Sequence, residues 1–323
     1  MSHTCQFSSK QGERCQEKAL DSGYCFWHDP DVDKSHVDLV PKLEAHVRSG
    51  KLSKGLRLQR CNLKNINLVD SFGPGFDLSE SDLYRADLQG AHLFNLKLRD
   101  GSLMKANLHS ANLHHTKLEN TNLLGMQLKQ TRVDNIVIGE QIRQEKFAYH
   151  FKEKHNHEKA IDNFEQSEEI YRNLRKSAEN QGLYKLVGEF YYRELIMRRS
   201  QLDKWSFEWC FSKLADLLCG YGEKPANIVV FSLFLIFACS LLYFFFGVAH
   251  GDSLIQFDSS LSAEQNISHF GMSIYYSVVT FTTLGYGDVT PMGVTRFIAA
   301  LEAFIGSFTI ALYVVVFVKR MGR

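Results

Sequence analysis

Thr282-Thr283-Leu284-Gly285-Tyr286-Gly287-Asp288 is the stretch on which the reading of this chain turns. It lies between two apolar runs. Ala226 to Ala249 carries no charge, and Phe297 to Val318 carries only Glu302. A helix needs about 20 apolar residues to cross the hydrocarbon of a bilayer, so each run is long enough to span it. Between them, Ser268 is a plausible N-cap, and His269 to Thr280 reads as about three helical turns, too short to span. Pro291 follows the stretch.

The run Thr283-Leu284-Gly285-Tyr286-Gly287-Asp288 closely resembles the filter signature of potassium channels, with Leu284 where the family usually has valine. The resemblance implies a filter at 283–288 in which rings of backbone carbonyls from four chains replace the water shell of K+. Such carbonyls must all point inward, and glycine reaches the required backbone angles without steric cost, which accounts for Gly285 and Gly287. By resemblance, the ligands are the carbonyls of Thr283, Leu284, Gly285 and Tyr286 and the Thr283 hydroxyl. The Tyr286 side chain packs outward, and Asp288 sits at the outer mouth. The helix at 269–280 becomes a pore helix that aims its negative C-terminal dipole at the cation. Tyr275 and Tyr276 fall where many members have an aromatic pair around the filter. Val279 stands where some bacterial members have a buried glutamate, so any inactivation that needs that glutamate is in doubt.

The first span is then 226–249, and 297–318 is the inner helix. Gly306-Ser307-Phe308-Thr309-Ile310-Ala311-Leu312 resembles the stretch around the family's inner-helix hinge. Gly306 is either a bending point or a small residue that lets helices approach closely, and both readings stay open. Glu302 lies one turn earlier. An ionisable residue at that depth is functional by default. It faces either the cavity or the back of the pore helix, and the second is slightly favoured. Tyr313-Val314-Val315 stands where voltage-gated members carry a Pro-x-Pro kink, and no arginine-rich span precedes the pore, so a voltage sensor of the usual kind is not expected.

No Lys or Arg occurs between Lys224 and Arg296. Lys204, Lys213 and Lys224 precede the first span, and Lys319, Arg320 and Arg323 follow the second. The positive-inside rule therefore places both termini in the cytoplasm of a multi-pass inner-membrane protein. The loop with His250, Asp252, Asp258, Glu264 and His269 then faces outside, where acidic groups concentrate cations.

A second pattern fills residues 56–140. An aliphatic residue recurs every fifth position from Leu58 to Ile138, and only Gly73 breaks the series. Two positions before each leucine the side chain is often small, as at Ser81, Ala86, Ala91, Ala106 and Ala111. A period of five fits neither a helix nor a flat strand; it fits a solenoid whose short sides each place one leucine inward. This stretch resembles the pentapeptide-repeat family, which implies a right-handed quadrilateral β-helix. Some members mimic DNA with a strongly acidic surface. Here Arg57, Arg60, Lys64, Arg85, Lys97, Arg99 and other bases balance the acids, which argues for a spacer, docking or assembly role instead.

Cys5, Cys15, Cys25 and His28 are spaced C-x9-C-x9-C-x2-H within residues 1–30. Three thiolates and an imidazole form a good tetrahedral zinc set, and a segment this short needs a staple. It resembles the short Cys3His segments of many bacterial proteins, in which Zn2+ is mostly structural. The alternatives are free cysteines or disulfides, and without a cleavable signal peptide a reducing cytoplasm disfavours the latter.

Residues 31–55 read as a linker and 141–202 as a charged helical connector, with Ala160, Phe164, Ile170, Tyr171 and Leu174 hinting at an amphipathic face. At 203–222, Phe207, Phe211, Leu214 and Leu218 share a helical face beside Trp205 and Trp209, as in a helix lying along the inner leaflet. A buried helix is the competing reading.

The 323 residues hold 37 Lys and Arg against 36 Asp and Glu, so nothing points to nucleic acid. No nucleophile–base set suggests an enzyme. The expectation is a multidomain chain in which a helical two-span pore domain at 223–323, assembled as a homotetramer, carries K+ and is gated through its N-terminal domains. Membrane lipid is an expected partner, and a cytoplasmic protein or small-ligand regulator is unidentified. A non-selective cation channel and a membrane-anchored adaptor with a vestigial pore are the alternatives.

Overall fold

Parallel bridges, rather than long strands, organise the first half of the molecule. The computed structural model describes residues 4–251 and 253–321, so Asp252 and Arg323 of the charge argument lie outside the described residues. The chain divides into two compact units between Ser206 and Phe207.

In the first unit the five-residue period is a burial period. Leucines from Leu58 to Leu128, Val133 and Ile138 are at most 7% exposed. The small residues two positions earlier are buried too, including Ser81, Ala86, Ala106 and Thr116. Two inward positions in five leave room for only one large side chain, hence the small partner. Buried hydroxyls are satisfied on the backbone: Thr116 Oγ1 donates to the Leu93 carbonyl at 2.8 Å and Thr131 Oγ1 to that of Leu108 at 2.6 Å. Bridges such as Asp82↔Ser102, Asp87↔Asn107 and His92↔Asn112 pair residues 20 positions apart, in parallel. The chain turns at a positive φ two residues after an inward leucine, as at Arg60, Glu80, Arg85 and Lys105.

Gly73 marks an insertion. Before it, bridged residues lie 25 apart (Asn67↔His92), and after it 20 apart (Asp77↔Lys97). The five extra residues therefore loop out and leave Phe72 fully exposed. Gly75 brings the chain back at φ +85°, where a Cβ would lie 2.0 Å from the Asn95 carbonyl oxygen.

Both ends of this ladder are covered. The expected linker contains α1 (Val40–Arg48). Leu39, Leu43 and Val47, one helical turn apart, join the core that holds Leu56 and Leu58. At the other end stand α2 (Arg143–Glu153), α3 (His157–Asn180) and α4 (Tyr184–Ser200), with α3 packed against both others. Asn173 Nδ2 donates to the Met126 carbonyl at 2.7 Å and Gln181 Nε2 to that of Thr131 at 2.6 Å, so α3 and its C-terminal turn close the last coil.

The second unit holds α5 (Phe207–Cys219), α6 (Pro225–Phe246), α7 (Ala263–Phe281) and α8 (Thr295–Met321). Three short strands, β1 (Val248–His250), β2 (Ser253–Ile255) and β3 (Val289–Pro291), pair antiparallel in the order β2-β1-β3. Among the described residues, α6 and α8 are the two helices long and apolar enough to cross a membrane. Their outer faces are apolar and exposed, as at Leu233, Phe234, Phe304 and Phe308. The first apolar helix ends at Phe246, not at 249, because Gly247 takes φ +83° and the next three residues pair as a strand. The helix expected from 269 begins at Ala263 instead. Ser262 and Gln265 form a reciprocal capping box there, a stronger start than Ser268.

Candidate functional site

The run from Thr283 to Asp288 leaves the C-terminal end of α7 under backbone control. Thr282, Thr283 and Leu284 donate their N–H groups to the carbonyls of Val278, Thr280 and Val279, each at 3.0 Å. The exit is fixed as well. Val289 to Pro291 pair with β1, and Tyr275 Oη donates to Asp288 Oδ2 at 2.9 Å. The run is thus held at both ends, and its own residues 283–288 are exposed in the single chain.

Its backbone alternates. Thr283, Gly285 and Gly287 have φ of +57°, +57° and +82°, while Leu284 and Tyr286 between them do not have positive φ. Alternating left-handed and right-handed residues turn successive carbonyls to one side of the chain, an arrangement able to line an ion path. A Cβ on Gly285 or Gly287 would meet nothing within 4 Å, so conformation and not space requires glycine in the single chain. Thr283 is the exception, a β-branched residue in a region that side chains avoid.

Tyr276 is buried, its ring edge-on to Tyr243 of α6 at 4.7 Å between centroids. Tyr275 and Tyr276 therefore do different things: one reaches Asp288, the other packs inward. Glu302 is 1% exposed and accepts from Tyr243 Oη at 2.6 Å. Its other oxygen lies 2.5 Å from Ser277 Oγ of α7. Gly306, one turn later, is where α8 meets the end of α7; a Cβ there would lie 2.1 Å from the Phe281 carbonyl oxygen. Tyr243, Ser277 and Phe281 escaped sequence reasoning. Each is an ordinary residue in a helical run, far along the chain from its partner on α8.

In the loop between β2 and α7, the Asp258 carboxylate accepts from the Ser260 backbone and hydroxyl at 2.8 and 2.7 Å. These bonds hold its pKa below the usual aspartate value, so it stays charged.

A second site lies in the first unit. Cys5, Cys15, Cys25 and His28 are buried, and their ligand atoms all lie within 4.8 Å of one another. The Cys15 and Cys25 sulfurs are 3.8 Å apart, and His28 Nδ1 is 3.1 Å from Cys25 Sγ and 3.6 Å from Cys5 Sγ. Tetrahedral bonds of about 2.3 Å to sulfur place two sulfurs about 3.8 Å apart, so the cluster could hold a metal ion and its spacing is compatible with zinc. His28 Nε2 sits 2.8 Å from the Lys54 carbonyl, which can only accept. That bond puts the proton on Nε2 and leaves Nδ1 free to bind a metal. Burial lowers the His28 pKa and pushes the Cys15 thiol up to about 12, so without a metal these groups are neutral. Phe7 stacks on His28 at 4.0 Å, and Gly55 is needed beneath it, since a Cβ would lie 2.0 Å from the Phe7 ring. Lys54 Nζ then reaches Glu13 at 2.6 Å and Asp77 at 3.6 Å, tying the segment to the solenoid.

Comparison with known proteins agrees with both halves. Residues 228–323 match the ion channel family, and residues 57–95 and 86–125 match pentapeptide repeats. The chain therefore joins a pentapeptide-repeat domain to an ion-channel domain. It is similar to Protein LctB of Geobacillus stearothermophilus, 40% identical over 58 residues, which are 18% of this chain and 43% of that protein. Protein LctB of Bacillus caldotenax is 32% identical over 79 residues, 24% of this chain and 58% of that protein. The matches thus span less than two thirds of each relative. Among solved structures, the pentapeptide repeat protein Rfr23 from Cyanothece 51142 is 33% identical over 26% of this chain and 61% of its own, with a TM-score of 0.16. The repeat protein alr5209 from Nostoc Pcc 7120 is 26% identical over 28% and 73%, with a TM-score of 0.18.

Proposed function

We propose that this chain is one subunit of a homotetrameric potassium-selective channel. In this reading Thr283 to Asp288 line the conduction path for K+, α7 is the pore helix, and α6 and α8 are the outer and inner spans. The observation that carries it is the alternation of backbone hand at Thr283, Gly285 and Gly287, in a Thr-Leu-Gly-Tyr-Gly-Asp run between two apolar helices. Four copies follow from the chemistry, since one loop supplies a quarter of each ion cage. Bi-ionic reversal potentials of the reconstituted protein test the reading.

The remaining assignments rest on the same frame. Lack of Lys and Arg from 225 to 295 supports an inner-membrane topology with both termini cytoplasmic. The exposed apolar face of α5, with Phe207, Phe211 and Leu214, suits contact with lipid at the inner leaflet. The 20-residue bridge spacing, four pentapeptides per turn, supports a four-sided β-helix. Regulation enters through these N-terminal domains. The near-neutral charge gives no reason to expect a nucleic-acid partner.

Cys5, Cys15, Cys25 and His28 hold a structural Zn2+ that fastens the N-terminal segment over the first coil. Structural zinc is worth about 10–16 kcal/mol of apparent binding energy in small domains, enough to fold a segment of this size. Elemental analysis is expected to find one zinc per chain, and Cys15→Ser is expected to lose it and expose the first 50 or so residues to protease. A variant that keeps its zinc and its protease resistance contradicts the assignment.

A further inference from the structure

The contacts around Glu302 have a hydrogen count that only one protonation state satisfies. Ser277 Oγ lies 2.5 Å from Glu302 Oε1 and also 2.9 Å from the Ile236 carbonyl oxygen. A serine hydroxyl has a single hydrogen, and a carbonyl has none to give. With an ionised Glu302, one of these two oxygen–oxygen contacts would have no hydrogen between its atoms. With a neutral acid, every contact is made: Tyr243 Oη–H donates to Oε2, Oε1–H donates to Ser277, and Ser277 donates to Ile236. The Cys239 thiol is a further hydrogen-bond partner of Glu302 and does not change the count at Ser277. The neutral arrangement also avoids an unpaired charge at a site that is 1% exposed.

The chain of bonds joins three helices: Ile236 and Tyr243, about two turns apart on α6, Ser277 on α7 and Glu302 on α8. Ser277 is one turn before Phe281, whose carbonyl abuts Gly306, itself one turn after Glu302. So α8 grips the last turns of α7 at two points. Those turns carry the carbonyls that anchor the N–H groups of Thr282, Thr283 and Leu284.

We propose that Glu302 is a positioning residue for selectivity, acting as a neutral carboxylic acid that bolts α7 to α6 and α8 behind the filter. This rests on the channel reading above. Full-length tetramers carrying Glu302→Gln, Glu302→Leu or Tyr243→Phe are compared with the parent by reversal potential, and Glu302→Gln also by infrared difference spectroscopy. Glutamine keeps the acceptor and places an N–H donor where the acid's O–H stood, adding one further N–H, so its K+ over Na+ permeability ratio is expected within about twofold of the parent. Glu302→Leu keeps the volume but no bond and is expected to lower the ratio by about tenfold or more. Tyr243→Phe removes one bond while keeping the ring that packs on Tyr276, and is expected to fall between them. The Glu302→Gln difference spectrum should show the loss of one protonated carboxylic carbonyl band.

If Glu302→Gln is as damaged as Glu302→Leu, or no acid band is lost, the neutral acid is wrong. If neither Glu302→Leu nor Tyr243→Phe changes the ratio, the positioning role is wrong. A parent protein without selective current would overturn the channel reading and the positioning role with it, while the infrared band still decides the protonation state.

Discussion

Gly287→Val is expected to abolish potassium flux while leaving the chain folded. Gly287 takes φ +82°, and a Cβ there would touch nothing within 4 Å of the same chain. The penalty is therefore conformational. Holding a side chain in a sparsely populated backbone region costs of order 1–3 kcal/mol. In the proposed tetramer the cost arises in each subunit, about 4–12 kcal/mol in all. Relief of that strain would flip the peptide and turn a carbonyl away from the path. Against 1.36 kcal/mol per decade of rate, even the lower bound corresponds to about a thousandfold loss of flux. Flux into liposomes and gel filtration of the same sample check it. Unchanged flux would remove this loop from the conduction path.

The second large effect is expected at Gly306. Its two sequence readings differ in what alanine does. A pure hinge would stiffen by about 1 kcal/mol of helix propensity, shifting opening without harming the fold. The close approach to Phe281 predicts otherwise. An added Cβ at 2.1 Å must retreat by about 1.2 Å to reach an ordinary carbon–oxygen contact. The displaced atom is backbone, at the end of α7, where no rotamer change can help. Overpacking of this kind costs about 1–3 kcal/mol. Gly306→Ala is therefore expected to lower the melting temperature of the assembled protein and to weaken selectivity, and Gly306→Val to do both more severely. An alanine variant with parental stability and selectivity but altered opening would restore the hinge reading.

Much of this architecture was legible because its signals are local and periodic. The leucine ladder repeats every five residues, so each repeat confirms the others. The glycine alternation is written into Gly285-Tyr286-Gly287 itself. Long-range pairing was not legible. Nothing in the spacing links Tyr243 to Glu302 or His28 to the Lys54 carbonyl, because these contacts depend on how separate elements fold together. The helix start at Ala263 is written in the sequence: Ser262 and Gln265 form the cap, while Ser268 lies about one and a half turns inside the helix. The helix within 31–55 also left a trace, in Pro41 and the four-residue spacing of Leu39, Leu43 and Val47. Two chemical groups of one type can also part ways. Tyr275 and Tyr276 adjoin in sequence, yet a helix directs neighbours about 100° apart, so one reaches Asp288 and the other the core.

The central claim is that the run from Thr283 to Asp288 passes potassium selectively. Its most direct test is the reversal potential of the purified full-length protein in a planar bilayer, with K+ on one side and Na+ on the other. A value close to the potassium equilibrium potential is the expected result. Clear current reversing near zero would contradict it and mark a non-selective cation pore.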